Sequence, residues 1–298
     1  MFLTGFADEA ARDIYGQIAA TRELGWTHIE SRNVDGTNLH YLTEEDFEKT
    51  MGKLTAAGIK ISCFGSAIAN WSKSIEKPFD VCLAQSRRAA ERMRKVGTRF
   101  VRIMSYPVLE GRSLADQMQE ERFARLREIV GIFGAEGLTV VHENCMNYGG
   151  MGAPFTLEML EKVPGLKLVF DTGNPVHTDD YTKPEPRPKQ SAWNFYRQVR
   201  DQVVYVHIKD AVVDPDTGHS EHTFPGEGLG DVRRIVSDLI EHGYDGGFSM
   251  EPHMKVIVHE GDRGGEPAAR FANYVEYGRR FERLLAGLGR PVRNGGTA

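Results

Sequence analysis

Four residues in this chain have the chemistry to share one divalent cation: Glu143, Asp171, His207 and Glu251. Each closes a short apolar run: Leu-Thr-Val-Val-His before Glu143, Leu-Val-Phe before Asp171, Val-Tyr-Val before His207 and Phe-Ser-Met before Glu251. Three carboxylates and one imidazole, with no thiolate, suit Mn2+ first, with Mg2+, Co2+ or Zn2+ as alternatives. Carboxylates gathered this closely repel one another unless a cation lies between them. Taken singly, each acid reads as well as a helix cap or salt-bridge partner, and His207 as a hydrogen-bonded core residue. Their recurrence at four successive strand ends is what selects the metal reading. A cation held there would polarise a carbonyl and stabilise the enediolate left when a neighbouring carbon loses its proton.

Residues 28, 36 and 44 positions apart in sequence can share an ion only if the fold brings their strand ends together. The chain alternates short β-branched or apolar runs with longer amphipathic stretches, the pattern of parallel strands covered by crossover helices. Eight strands are predicted, at residues 2–6, 27–31, 60–64, 99–104, 138–143, 167–171, 203–209 and 247–251. Eight helices follow in turn, at 9–24, 44–57, 79–96, 114–136, 156–163, 189–200, 231–242 and 267–286. Gly25, Gly58, Gly97, Gly137, Gly165 and Gly243 stand where helix ends need a left-handed cap before the next strand. Eight such repeats without an internal linker predict a single-domain α/β TIM (β/α)8 barrel over residues 1–288, followed by a frayed Gly/Arg/Pro-rich tail at 289–298. In that fold the strand ends of the fifth to eighth units converge on one mouth. The first strand is followed by Ala-Asp-Glu-Ala rather than a glycine fingerprint, which argues against a dinucleotide-binding open sheet.

A second ring of polar residues could contact substrate hydroxyls: Glu30 and Arg102 on the second and fourth strands, His142 and Asn144 flanking Glu143, Asn174 three residues after Asp171, Lys209 and His253 two residues beyond their ligands, and Glu227 in a Gly-rich loop. Charge pairs at strand ends, such as Glu30 with Arg32, account for them equally well. The loops at 65–78, 144–155, 174–189 and 211–230 are the longest after strands and are candidates for pocket walls or lids. The segment Gly-Glu-Gly-Leu-Gly at 226–230 reads as a tight loop entering a helix, since it lacks both the dinucleotide spacing and a P-loop lysine.

The strings Val-His-Glu-Asn at 141–144, Phe-Asp-Thr-Gly-Asn at 170–174, His-Ile-Lys-Asp at 207–210, Pro-Gly-Glu-Gly at 225–228 and Ser-Met-Glu-Pro-His at 249–253 resemble the xylose isomerase-like superfamily. They are most similar to its sugar phosphate isomerase/epimerase branch, with its ketose 3-epimerases, hydroxypyruvate isomerases and inosose dehydratases. The resemblance implies that Glu143, Asp171, His207 and Glu251 hold the metal and that Glu143 and Glu251 are also the catalytic acid/base pair. It further implies a small sugar or sugar phosphate substrate, isomerised or epimerised, with inosose-type dehydration as the alternative, and a homodimer or homotetramer. Where ketose 3-epimerases commonly carry a histidine three residues after the ligand aspartate, this chain carries Asn174.

Composition narrows the rivals. A net charge of -5, with basic residues scattered among acidic ones, offers no footprint for nucleic acid. That disfavours the endonuclease IV-like phosphodiesterases of the same superfamily, which also carry a richer histidine set. No nucleophile elbow of the form G-x-S-x-G occurs. Three cysteines without paired spacing, no signal-like N-terminus and no run of eighteen apolar residues predict a soluble cytoplasmic protein with no membrane partner.

Overall fold

The computed structural model of the protein describes residues 1–214, 216–254 and 267–290. Eight strands, β1 (Phe2–Gly5), β2 (His28–Ser31), β3 (Lys60–Gly65), β4 (Phe100–Ile103), β5 (Thr139–Glu143), β6 (Lys167–Asp171), β7 (Val203–Ile208) and β8 (Gly247–Met250), form one sheet. All the pairings are parallel, and β8 returns to pair with β1. A parallel bridge between Phe6 and Glu30 joins the two remaining edges, so the sheet closes as the alternating pattern required.

The helices α1 (Ile14–Glu23), α2 (Glu44–Ala57), α3 (Asp80–Val96), α4 (Gln119–Ala135), α5 (Ala153–Lys162), α6 (Ala192–Val199), α7 (Val232–Glu241) and α8 (Pro267–Gly287) surround the barrel. Their starts are set locally: Asp13 accepts from the N–H groups of Tyr15 and Gly16, Thr43 from Asp46, and Ser191 from Asn194. The six glycines expected to end helices all have positive φ, between 70° and 89°.

Some boundaries differ from expectation. The Asp13 cap starts α1 at Ile14, so Asp8 and Glu9 fall in a separate 3-10 turn and face the barrel mouth instead of the helix layer. The predicted helix at 114–136 is broken by Met118, which has φ 53°. The long loop expected at 211–230 contains a hairpin, Asp210–Val213 against Ser220–Thr223. Of the expected tail, residues 291–298 lie outside the described residues.

The barrel interior explains why the site sits where it does. Cys63, Val141, Val169 and Tyr205 form an apolar plug inside the strands. Two residues further along the same strands come Glu143, Asp171 and His207, and Glu251 follows Ser249 in the same way. Side chains two apart share a face, so the polar quartet lies directly above the plug at the C-terminal end of the barrel.

Candidate metal centre

Glu143, Asp171, His207 and Glu251 are all buried, and one ligand atom from each lies within 4.8 Å of the others. His207 Nδ1 is 3.7 Å from Glu143 Oε1, 4.0 Å from Asp171 Oδ2 and 3.9 Å from Glu251 Oε2. Neither His207 Nδ1 nor Asp171 Oδ2 has a hydrogen-bond partner, although both are buried and only the second is near a cation, Lys209 Nζ at 3.2 Å. Buried polar atoms are rarely left this way, and two lone pairs converging on one point between two further carboxylates fit a divalent cation. The donor set, one imidazole nitrogen and carboxylate oxygens, passes the same test.

Each ligand is fixed from behind. His207 Nε2–H donates to Glu30 Oε2 at 3.0 Å, which leaves Nδ1 to face inward. Asp171 Oδ1 accepts from the backbone N–H of Gly173 at 2.8 Å and of Asn174 at 2.6 Å, which turns Oδ2 toward the centre. Asn174 Nδ2 donates to Glu143 Oε1 at 2.9 Å, and Arg102 Nε lies 3.4 Å from Glu143 Oε2. Lys209 Nζ donates to Glu251 Oε2 at 2.7 Å and lies 3.2 Å from Asp171 Oδ2. Its stem crosses Gly173 so closely that a Cβ there would stand 2.6 Å from Lys209 Cγ. The glycine of Asp-Thr-Gly-Asn is therefore needed to deliver the ammonium.

The electrostatics follow from these contacts. Burial alone would raise the Glu143 pKa, but Arg102 and His207 overcome it and hold the carboxyl below the ordinary carboxylate range. Glu251 is likewise held well below that range against the same burial, chiefly by Lys209, His253 and Arg32. Burial pushes Asp171 up, with Lys209 opposing it. Burial opposes protonation of His207, yet Glu30 and Glu143 raise its pKa overall.

Of the substrate-contact candidates, Glu30, Arg102, Asn174 and Lys209 are brought to the quartet. His253 is brought close: Nδ1 bonds Glu9 Oε1 at 2.8 Å and Nε2 lies 3.6 Å from Glu251 Oε1. Two candidates are not. His142 alternates with Glu143 along β5 and so faces the helix layer, where its Nε2 meets Ser105 Oγ and Asn147 Oδ1, each at 3.0 Å. Glu227 points away from the mouth and pairs with Arg280 of α8 at 2.6 Å.

Sequence reasoning missed a second polar network. Arg32 does not pair with Glu30; it bonds Asp8 at 2.9 Å, Glu251 at 3.1 Å and Glu9 at 3.2 Å, with its guanidinium 4.4 Å from the Phe6 ring centre. Glu9, Glu251 and His253 also satisfy a metal-like geometry, but Arg32 already supplies the positive charge there. The signal was available: Asp8 and Glu9 follow a strand, and Arg32 shares the face of Glu30 by the two-residue period. Asp210 was missed as well. Its carboxylate accepts from the backbone N–H groups of Ala211, Gly226, Gly228 and Gly230, at 2.8 to 3.0 Å. The Gly-rich loop is thus a cradle filled by the protein's own anion, which is why it offers none to a phosphate.

The sequence matches the family model described as Xylose isomerase-like TIM barrel over residues 18–274. No curated protein matches it significantly. Among solved structures, a xylose isomerase-like TIM barrel protein from Mycobacterium smegmatis in complex with magnesium is 19% identical, with TM-score 0.69 and 97% of each chain covered. A D-tagatose 3-epimerase-like protein is 17% identical, with TM-score 0.71, covering 97% of this chain and 98% of that one. The probable 3-DHS dehydratase AsbF from Bacillus anthracis is 18% identical, with TM-score 0.65, covering 92% and 97%. The closed barrel, the strand-end quartet and a family match spanning most of the chain lead to one conclusion: this protein belongs to the xylose isomerase-like TIM barrel family.

Proposed function

We propose that the protein is a divalent-metal-dependent isomerase or epimerase acting on a sugar or sugar phosphate, with Mn2+ the first candidate ion and Mg2+, Co2+ or Zn2+ the alternatives. The observation that carries this reading is the buried His207 Nδ1, without a hydrogen-bond partner and within 4.0 Å of oxygens of Glu143, Asp171 and Glu251. Glu143, Asp171, His207 and Glu251 would hold the ion, which supplies Lewis-acid polarisation of a carbonyl and offsets the negative charge that develops on deprotonation.

The chain's own groups define the proton chemistry. Glu143 and Glu251 are ionised and can each accept a proton from a carbon placed between them. Carboxylates held below their usual pKa are weak bases, so the carbon acid must be made stronger before either can act. This need is itself an argument for a cation. Lys209 and Arg102 stand beside the two glutamates and would orient substrate oxygens, while Asn174, Glu30 and Arg32 hold the carboxylates and His207 in place.

A dehydratase would begin with the same proton abstraction and then expel hydroxide; the fold shared with a probable dehydratase keeps this as the second reading. We further propose a homodimer or homotetramer in the cytoplasm. Three free cysteines support the reducing compartment, and among the described residues no helix is long and apolar enough to cross a membrane. The test is a screen of ketoses, inososes and their phosphates with added Mn2+, followed by mass spectrometry of the product. Unchanged mass with altered stereochemistry or carbonyl position is expected. Loss of one water selects the dehydratase, and no turnover of any of them overturns the proposal.

A further inference from the structure

A cavity of about 630 Å3 opens on the same end of the barrel as the quartet, between the loops that follow β4, β5 and β6. No quartet residue lines it, but two of its walls are continuous with the centre. Asn147 lines the cavity and donates its Nδ2 to the Glu143 carbonyl oxygen at 3.1 Å. His177 lines it too, and a row of imidazoles runs from there to Glu251. The His177 and His222 rings are 4.7 Å apart, the His222 and His253 rings 5.1 Å apart, and His253 Nε2 is 3.6 Å from Glu251 Oε1. The cavity is therefore linked to the quartet on two sides, through Asn147 and through the three imidazoles.

Its chemistry is that of a site for a neutral, partly apolar group. Every cation in the lining is already matched: Arg112 by Glu76 and Asp116, Arg187 by Glu185 and the Tyr181 ring, and Lys189 by Asp179 at 2.8 Å. A phosphate would find no uncommitted charge there. Met146, Val108 and Leu109 supply an apolar surface that adapts to a flat ring, and Met146 is 66% exposed. His177 also lines the cavity, with its Nδ1 shared with Ser220 Oγ at 2.6 Å. Burial holds the His177 pKa down to about 4, so this imidazole adds no charge to the cavity wall. The volume lies well inside the roughly 300–1,000 Å3 typical of ligand pockets. A single free sugar at the quartet would leave it empty.

We infer that this cavity is the subsite for a second, uncharged ring, so that the sugar handled at the quartet carries a ring substituent, as in an aryl glycoside or a disaccharide, rather than a phosphate. The inference rests on the reading of the quartet as a sugar-handling metal centre.

The test is calorimetric binding of phenyl and methyl β-glycosides of glucose, galactose and xylose, together with glucose and glucose 6-phosphate, to the Mn2+-treated protein. For at least one sugar, the phenyl glycoside is expected to bind ten-fold or more tightly than the methyl glycoside, with glucose 6-phosphate gaining nothing over glucose. Val108→Trp fills the cavity and Met146→Asp places a charge on its exposed rim; each is expected to bring the phenyl-over-methyl ratio toward one. Met146→Asp keeps the test decisive if the larger tryptophan impairs folding. Equal or absent binding of phenyl and methyl glycosides, or a preference that neither substitution changes, overturns the subsite. Failure of the quartet to take up Mn2+ while the phenyl preference and its sensitivity to Met146→Asp persist would overturn the proposed function and leave the subsite supported.

Discussion

Glu30 and His207 lie on strands that are far apart in sequence, yet Glu30 Oε2 accepts from His207 Nε2 at 3.0 Å inside the closed barrel. This single bond decides which ring nitrogen is offered to the quartet. It also explains a strand-end glutamate that sequence alone pairs equally well with its neighbour Arg32. Glu30→Gln keeps the shape but weakens the acceptor, so metal affinity is expected to fall about 10- to 100-fold, the usual worth of such an orienting partner. Titration of metal-free protein with Mn2+ or Zn2+ measures it, and an unchanged Kd would mean that Glu30 does not orient the ligand.

A second contrast separates residues that hold the ion from one that stands beside it. Asp171→Asn and His207→Ala remove inward-facing donors and should abolish uptake. Lys209→Met removes an ammonium from the same oxygens that face the quartet centre, so the variant should bind metal at least as tightly while losing turnover. Wild-type protein should gain thermal stability with added metal, about 2.7 kcal/mol at a hundred-fold excess over Kd, and the first two variants should not. Equal metal retention in all three variants would show the quartet to be misassigned.

The barrel and its quartet were legible in sequence because both rest on short-range periodicity. Alternation of strand and helix gives the closed sheet, and a polar residue ending each of four buried strands gives the centre. The same two-residue rule, applied one step further, would have excluded His142, which must face away from Glu143. What sequence could not supply was long-range pairing. Arg32 reaches Asp8, Glu9 and Glu251 only because the first, second and last strands meet when the barrel closes. Asp210 fills a glycine cradle that spacing shows as an open loop. Glu227 was drawn into the site by its loop, whereas its partner Arg280 lies on a helix 53 residues later.

His40 yields a prediction about acid stability. It is buried with neither ring nitrogen bonded, and burial, reinforced by Lys73, Arg92 and other cations, lowers its pKa from 6.5 to about 3. The folded protein therefore resists a proton that the unfolded chain accepts, and stability is lost as pH falls from about 6.5 toward 3. At pH 5 the loss from this residue is about 2 kcal/mol. His40→Phe keeps a ring against Tyr41 and removes the titration, so its melting temperature should fall less than wild type between pH 7 and pH 5. Parallel pH profiles for the two proteins would refute this.

The mechanism is tested at the two glutamates, whose carboxylate oxygens lie 3.7 and 3.9 Å from His207 Nδ1. A substrate carbon held between them can lose a proton to one and regain it from the other, so product formed in D2O should carry deuterium at that carbon. Internal return of the same proton by one glutamate would lower the label without abolishing turnover. Glu143→Gln and Glu251→Gln each remove a proton carrier and should cut the rate by about 10²- to 10⁴-fold, the range for positioned acid/base groups. These rates must be read with metal saturating, because both residues also offer a ligand oxygen and a loss of ion would mimic a loss of base. Arg102→Gln serves as the comparison: it touches Glu143 from outside the quartet, so it should perturb the pH profile of turnover more than metal uptake. With Arg102 gone, burial is opposed by fewer charges, the Glu143 pKa rises, and the acid limb of kcat/KM should move to higher pH. Full activity in both glutamine variants would exclude the shared proton-transfer mechanism for isomerase, epimerase and dehydratase alike.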